Sequence, residues 1–340
     1  MRWVVAQPGP SFSVHDTYVG WVEALRGAGQ QVVEYNLDER LTLYASALKQ
    51  IGEATFTRML SAEQSYELAV NGLYSTLYKV RPEFLFIVSG FFIPPELLDR
   101  ARRSGTRTIV LHTESPYEDE RMMKLAPMVD LLLIDDPTNL ETFQQVTRTA
   151  YVPKAYRPSL HSPGPVIPEL ASDLAFVGTG YQSRIDFFEA MDLQDLDVLL
   201  AGNWGQLEAD SKLYPFVAHD PEQCLPNERT VDVYRSAKVG LNLYRREAQR
   251  PELSAGWSMG PREVEMAAIG LPFARDPRGE GDAELPMLPT FTDPAEASEI
   301  VRWFLAHEDE RVKASLAIRE AVAWRTFDHH AAVLLQLLDN

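Results

Sequence analysis

The feature that most constrains this chain is a proline-rich break between two runs of the same pattern. Pro153, Pro158, Pro163, Pro165 and Pro168 fall with Gly164 in one short stretch, a density that admits neither helix interior nor sheet ladder. Before the break, short apolar runs predict strands at 2–6, 31–35, 84–88, 108–111, 129–134 and 150–152. A helix is expected from His15, with Tyr18, Trp21, Val22 and Leu25 on one face and Gly27 and Gly29 closing it. Further helices are expected through 66–77, 95–104, 118–126 and 138–146, and 40–60 carries mixed signals, read as helical. After the break, strands at 174–177, 197–201, 239–243 and 271–274 alternate with helices at 183–191, 230–236 and 261–269. Residues 294–306 and 309–337 read as helices to the end. Strand alternating with helix, twice over, predicts two α/β domains with mostly parallel sheets and right-handed crossovers. The expected division is 1–155, a linker at 156–170, a second domain at 171–320 and a C-terminal helix at 321–340.

A chain of 340 residues can bury two cores, and 45% apolar with 24% charged residues is the balance of a globular protein. The net charge of −17 disfavours non-specific binding to nucleic acid or anionic membrane. The lone Cys224 excludes an internal disulfide framework and a cysteine-rich metal site. No apolar stretch approaches the roughly 20 residues that cross a bilayer, the first apolar run is shorter than a signal peptide requires, and a cytoplasmic location is expected. The exception to the acidic balance is Tyr244-Arg-Arg-Glu-Ala-Gln-Arg250.

That basic segment precedes Ser258-Met-Gly-Pro-Arg-Glu-Val-Glu-Met-Ala-Ala-Ile-Gly-Leu-Pro-Phe273. Pro261 suits a first helical position, Gly260 the cap before it, and Gly270 a left-handed C-terminal residue. Such a helix start offers N–H donors and a positive dipole end to an anion. Arg262 and Glu265 stand three apart and share a face, either as a ligand-binding cation and carboxylate or as an ordinary ion pair. Gly178-Thr-Gly180, after a strand and before Arg184, reads as a loop that admits a phosphate or as a tight strand-to-helix turn. His112 and Glu114, at the end of a strand, suit general-base work or a satisfied loop histidine beside a capping carboxylate; His15 is a similar candidate. Asp135-Asp136 invites a metal, but Pro137 favours Asp136 as a helix N-cap. His329-His330 reads as surface or packing.

Asp173-Leu-Ala-Phe-Val-Gly, Arg184, Leu199-Leu-Ala-Gly202, Tyr234-Arg-Ser-Ala-Lys-Val-Gly-Leu-Asn242 and Arg262–Pro272 together resemble the CgeB-like, spore-maturation type glycosyltransferases. The resemblance covers about 80–340, and Val129–Asp135, Tyr151–Ala155 and the 327–335 helix carry it more weakly. It implies a GT-B fold: two Rossmann-like domains facing across a cleft, with the C-terminal helix packing back toward the first. It implies transfer of a sugar from a nucleotide-sugar donor to a protein, glycan or small-molecule acceptor, DNA being disfavoured by the charge. No cofactor beyond the donor and no metal is expected.

By the same resemblance Glu265 holds the donor ribose and Arg262 matches the family's arginine; Arg262 is expected to hold the diphosphate with Ser258, the Gly260 backbone and Arg184 or Arg245, and Met259 to belong to the same donor site. Gly178, Thr179, Gly180, Arg184, Asn242 and Arg245 complete the donor site. The acceptor is expected near His15, Ser89-Gly90, His112 and Glu114, with His15, His112 or Glu114 as base if transfer inverts. The family's second acid, eight residues before Glu265, is replaced by Trp257. That departure keeps open a non-catalytic nucleotide or sugar binding module, and a GT-B-like sugar-nucleotide epimerase.

Overall fold

The computed structural model describes residues 1–7, 14–247 and 256–339. Residues 248–250 of the basic run lie outside them. The chain forms two compact units, Met1–Pro153 with Phe327–Asn340, and Lys154–Thr326.

The first unit runs β1 (Arg2–Gln7), α1 (His15–Gly27), β2 (Gln31–Asn36), α2 (Leu37–Ala45), β3 (Leu48–Gly52), β4 (Thr55–Arg58), α3 (Ala62–Val80) and β5 (Phe84–Val88). It continues α4 (Pro95–Arg103), β6 (Arg107–His112), α5 (Asp119–Leu125), β7 (Leu131–Ile134), α6 (Leu140–Gln144) and β8 (Thr149–Tyr151). Six of these strands make one sheet in the order β2-β1-β5-β6-β7-β8, with every pair parallel. Side chains alternate across it, so each strand feeds two cores. Val4, Ala6, Leu85, Ile87, Val110 and Leu132 pack with Leu73, Leu97 and Met122. On β1 and β5, Trp3 stacks on Phe84 with centroids 4.4 Å apart, and Phe86 meets Trp21 of α1 edge-on at 5.0 Å.

Residues 40–60 correct the helical expectation. The helix stops at Ala45, and β3 and β4 form a separate antiparallel hairpin. Ile51, Thr55, Phe56 and Thr57 favour extended backbone, and every residue of the two strands but Thr57 is exposed. With no buried face the segment carries no readable hydrophobic period.

The second unit runs β9 (Ser172–Val177), α7 (Gln182–Ala190), β10 (Val198–Ala201), α8 (Asn227–Ser236), β11 (Ala237–Asn242), α9 (Pro261–Ile269) and β12 (Phe273–Arg275). Helices α10 (Gly279–Glu284), α11 (Pro294–Ala306) and α12 (Glu308–Ala321) follow. Its sheet is parallel, in the order β10-β9-β11-β12. Leu174, Phe176, Leu200 and Leu241 face Phe188, Val301 and Phe304 on one side. Ala175, Val177, Ala201 and Phe273 face Val231, Val264, Ala267 and Ile318 on the other. At roughly 1.5–3 kcal/mol per fully buried large apolar side chain, these two faces dominate the unit's stability.

The chain then returns to the first unit as α13 (Phe327–Asp339). Phe327 occupies the space a Cβ on Gly20 would need, 2.2 Å from that position, so α13 seats directly on α1. His330 Nε2 meets the carbonyl of Pro153 at 3.0 Å, which gives it the packing role the sequence favoured. Among the described residues, no helix is long and apolar enough to cross a membrane.

Candidate functional site

In a doubly wound sheet, ligands sit outside the carboxyl ends of the strands, where the strand order reverses. In the second unit the reversal falls between β9 and β11, because the chain leaves β9 toward β10 and later returns to its other side. The segments that emerge there are Gly178-Thr179-Gly180 and Leu243-Tyr244-Arg245. Arg184, in the first turn of α7, ties them together. Its Nη1 donates to the Thr179 carbonyl at 2.9 Å and its Nη2 to the Leu243 carbonyl at 2.5 Å. Both Phe176 and Tyr181 lie 5.3 Å from the guanidinium carbon. Burial pulls its pKa down. The structure commits Arg184 to the backbone; it braces the loops on which a ligand would rest.

The glycines of this edge are explained by close approach. A Cβ on Gly180 would fall 2.4 Å from the Trp204 ring, and one on Gly202 would fall 2.4 Å from the Gly178 carbonyl. Gly202 also has φ +110, which disfavours any side chain. His219 Nε2 accepts from the Gly202 N–H at 3.0 Å, and its Nδ1 meets the Asp220 carbonyl at 2.8 Å. That contact was not read from the sequence.

The turn before α9 has the predicted geometry but different occupants. Pro261 is the first helical residue, Gly260 the cap, and Gly270 closes the helix with φ +89. The N–H groups expected to meet an anion are taken by carboxylates: Gly260 N–H donates to Glu263 Oε2 at 2.7 Å, and Met259 N–H to Glu280 Oε2 at 2.6 Å. Glu263 also accepts from the Tyr244 hydroxyl. It is fully buried, and burial pushes it up to about 7 against the lowering pull of the Tyr244 hydroxyl and the Gly260 N–H. Ser258 is buried, and its carbonyl accepts from Arg278 Nε at 3.1 Å. Trp257 is 46% exposed, with its ring lying over Gly279.

Arg262 and Glu265 do share a face, and they meet. Arg262 Nη1 donates to Glu265 Oε2 at 2.6 Å, and both terminal nitrogens reach Asn227 Oδ1 at 3.3 Å. Glu265 is buried, whereas the Arg262 side chain keeps 28% of its surface. Tyr234 is within electrostatic reach of Arg262, Glu265 and Arg184, and burial raises its pKa. Asn242 ends β11 with its side chain buried, opposite Arg275 on β12. Arg245 is exposed, its guanidinium 5.0 Å from the Tyr181 ring centre. The donor-site candidates thus gather along one carboxyl edge of one sheet.

The first unit's candidates fare differently. His112 is fully buried: Nε2 meets Asp119 Oδ1 at 2.7 Å, and Phe91 and Phe143 stand edge-on to the ring at 5.6 and 6.1 Å. An imidazole so enclosed does not present a base to an acceptor in this structure. Glu114 lies beyond the end of β6 at His112, so strand alternation does not pair the two. His15 is exposed at the first turn of α1, with Nδ1 3.1 Å from Gln7 Oε1 at the end of β1. Ser89 and Gly90 leave β5 with φ +73 and +80. The order β2-β1-β5 puts this unit's strand reversal between β1 and β5, so His15 and Ser89-Gly90 flank it. Asp136 caps the turn that follows, accepting from Thr138 N–H at 2.9 Å.

Both units are thus parallel, doubly wound α/β folds. A family model described as glycosyl transferase-like matches residues 184–336, a span that opens on Arg184 and includes Arg262 and Glu265. No curated protein matches the sequence. Among solved structures, sucrose-phosphate synthase from Thermosynechococcus elongatus is similar over 100% of this chain and 98% of its own, with TM-score 0.66 and 13% identity. The E. coli trehalose-6-phosphate structure bound with UDP-2-fluoro glucose is similar over 99% of each chain, with TM-score 0.59 and 14% identity. Anabaena HepE in complex with UDP is similar over 99% and 100%, with TM-score 0.56 and 9% identity. The chain has the α/β fold of these GT-B structures from end to end.

Proposed function

We propose that this protein is a glycosyltransferase of the CgeB-like type that takes a sugar from a nucleotide-sugar donor bound by the second unit. The observation that carries the reading is the Arg262–Glu265 pair on the first turns of α9, fixed at the carboxyl edge of a parallel sheet inside the glycosyl transferase-like match. Glu265 is an acceptor for ribose hydroxyls. Arg262 and the exposed Arg245 supply positive charge for the diphosphate. A cation placed where the departing nucleotide gains charge stabilises the transition state without being consumed. Arg184 and the glycines hold the loops that carry these groups. The turn before α9 acts through Glu263 and Glu280, which fix its backbone.

The acceptor would meet the first unit near His15 and Ser89-Gly90. With His112 enclosed, His15 is the side chain best placed to take an acceptor proton if transfer inverts the anomeric centre. Metal independence and a cytoplasmic setting remain part of the proposal.

The test is to incubate the protein with a panel of nucleotide sugars and follow nucleoside diphosphate release. Arg262→Ala and Glu265→Ala should each lower kcat/KM by tenfold or more, the range expected for losing a charge-assisted contact of about 1.5–3 kcal/mol. Normal turnover by both variants contradicts the assignment. Donor binding with no release supports a non-catalytic module, a reading that Trp257 at the position of the family's second acid favours.

A further inference from the structure

We infer that His161, in the proline-rich segment, completes the ribose site with Glu265 by donating a hydrogen bond to the same sugar edge. The inference rests on the reading of Glu265 as a ribose acceptor. His161 is 1% exposed. Its Nδ1 accepts from the Arg157 N–H at 3.1 Å, which fixes the neutral ring as the tautomer with its proton on Nε2. That Nε2 has no hydrogen-bond partner among the described residues, and a buried donor of this kind is costly to leave unmatched. A ring nitrogen of His161 and a carboxylate oxygen of Glu265 lie within 4.8 Å of each other. Glu265 Oε2 accepts from Arg262, and the carboxylate has Oε1 as its second acceptor oxygen.

An N–H donor and a carboxylate acceptor on two side chains that approach within 4.8 Å can share one hydroxyl. Two hydrogen bonds of roughly 2.8 Å meeting at a tetrahedral oxygen span about 4.6 Å. The hydroxyl accepts from Nε2–H and donates to Oε1, so each group is satisfied by one atom. A vicinal diol offers such an oxygen and a neighbour for the rest of the carboxylate. The ligand chemistry is therefore a ribonucleoside, selected over its deoxy form.

Calorimetric titration of the full chain with UDP, GDP and ADP, and with their 2′-deoxy and 3′-deoxy counterparts, tests this. The wild type should bind at least one ribonucleotide about tenfold more tightly than one of its deoxy forms. His161→Ala should lose that preference by weakening the ribonucleotide alone. Unchanged affinity for the deoxy form shows that the variant is folded. His161→Gln, whose amide nitrogen reaches the same place, should restore part of the preference. A His161→Ala protein that keeps the wild-type ratio overturns the inference, as does a wild type that binds tightly without discriminating. Equal loss of both ligand forms in His161→Ala and His161→Gln assigns the residue to the fold and also overturns it. A wild type that binds none of the nucleotides overturns the donor-site reading itself, and this inference falls with it.

Discussion

Arg184 donates to the carbonyl of Leu243 at 2.5 Å, across the point where the second sheet reverses its strand order. The same guanidinium holds Thr179, so one side chain stitches the ends of β9 and β11. A planar fork makes two such bonds at once, which an ammonium on a flexible stem does poorly.

Replacing Arg184 by Met keeps the apolar stem and removes both donors. Stability should fall by about 2–4 kcal/mol, the cost of leaving two carbonyls without partners. Arg184→Lys should recover less than half. Chemical denaturation with an unchanged m-value checks both.

Glu263 predicts a pH dependence of stability. Its folded pKa, raised to about 7, stands above the ordinary 4.5, so between those values the native state binds a proton that the unfolded chain releases. The contribution is therefore full below about pH 4.5 and is lost as pH rises through about 7, with a total on the order of 3 kcal/mol. Glu263→Gln should flatten the slope across that window while keeping an acceptor for the Gly260 N–H. Denaturation midpoints measured at steps from pH 4.5 to 8 read the difference directly.

Arg325 sits fully buried between Glu280 and Glu284, with contacts of 2.7 and 2.6 Å. Glu280 also accepts from the Met259 N–H, so this cluster reaches the turn before α9. Arg325→Met should cost about 3–5 kcal/mol, because it removes the buried cation that two carboxylates share. It should also speed hydrogen exchange at Met259 and Gly260 relative to α11, since the turn loses a fixed acceptor. Exchange measured by NMR or mass spectrometry separates that local effect from global loss.

The alternation of apolar runs made both sheets legible, because fully buried parallel strands read as continuous Val, Leu and Ile segments. Gly260, Pro261 and Gly270 placed the ends of α9 by backbone preference alone, and the three-residue spacing put Arg262 and Glu265 on one face. Glu263 was within reach of the same reasoning: a carboxylate three residues after a cap closes a capping box. Glu280 and Arg325 were not. Glu280 reaches the turn from 21 residues away and Arg325 reaches Glu280 from 45 further on, through folds of the chain that no local pattern encodes. His112 misled because a strand-end histidine looks the same whether it meets solvent or is enclosed by Phe91 and Phe143. His161 was hidden in the proline segment, where periodicity has no meaning.

The most direct test of the central claim is donor binding measured by calorimetry on the wild type and Glu265→Gln. That substitution keeps the shape and removes the carboxylate charge that Arg262 meets at 2.6 Å. The account predicts saturable binding of a nucleoside diphosphate or its sugar by the wild type, weakened about tenfold or more in the variant, which corresponds to about 1.4 kcal/mol. Equal affinities in the two proteins, or no binding by the wild type to any nucleotide sugar tested, would contradict it.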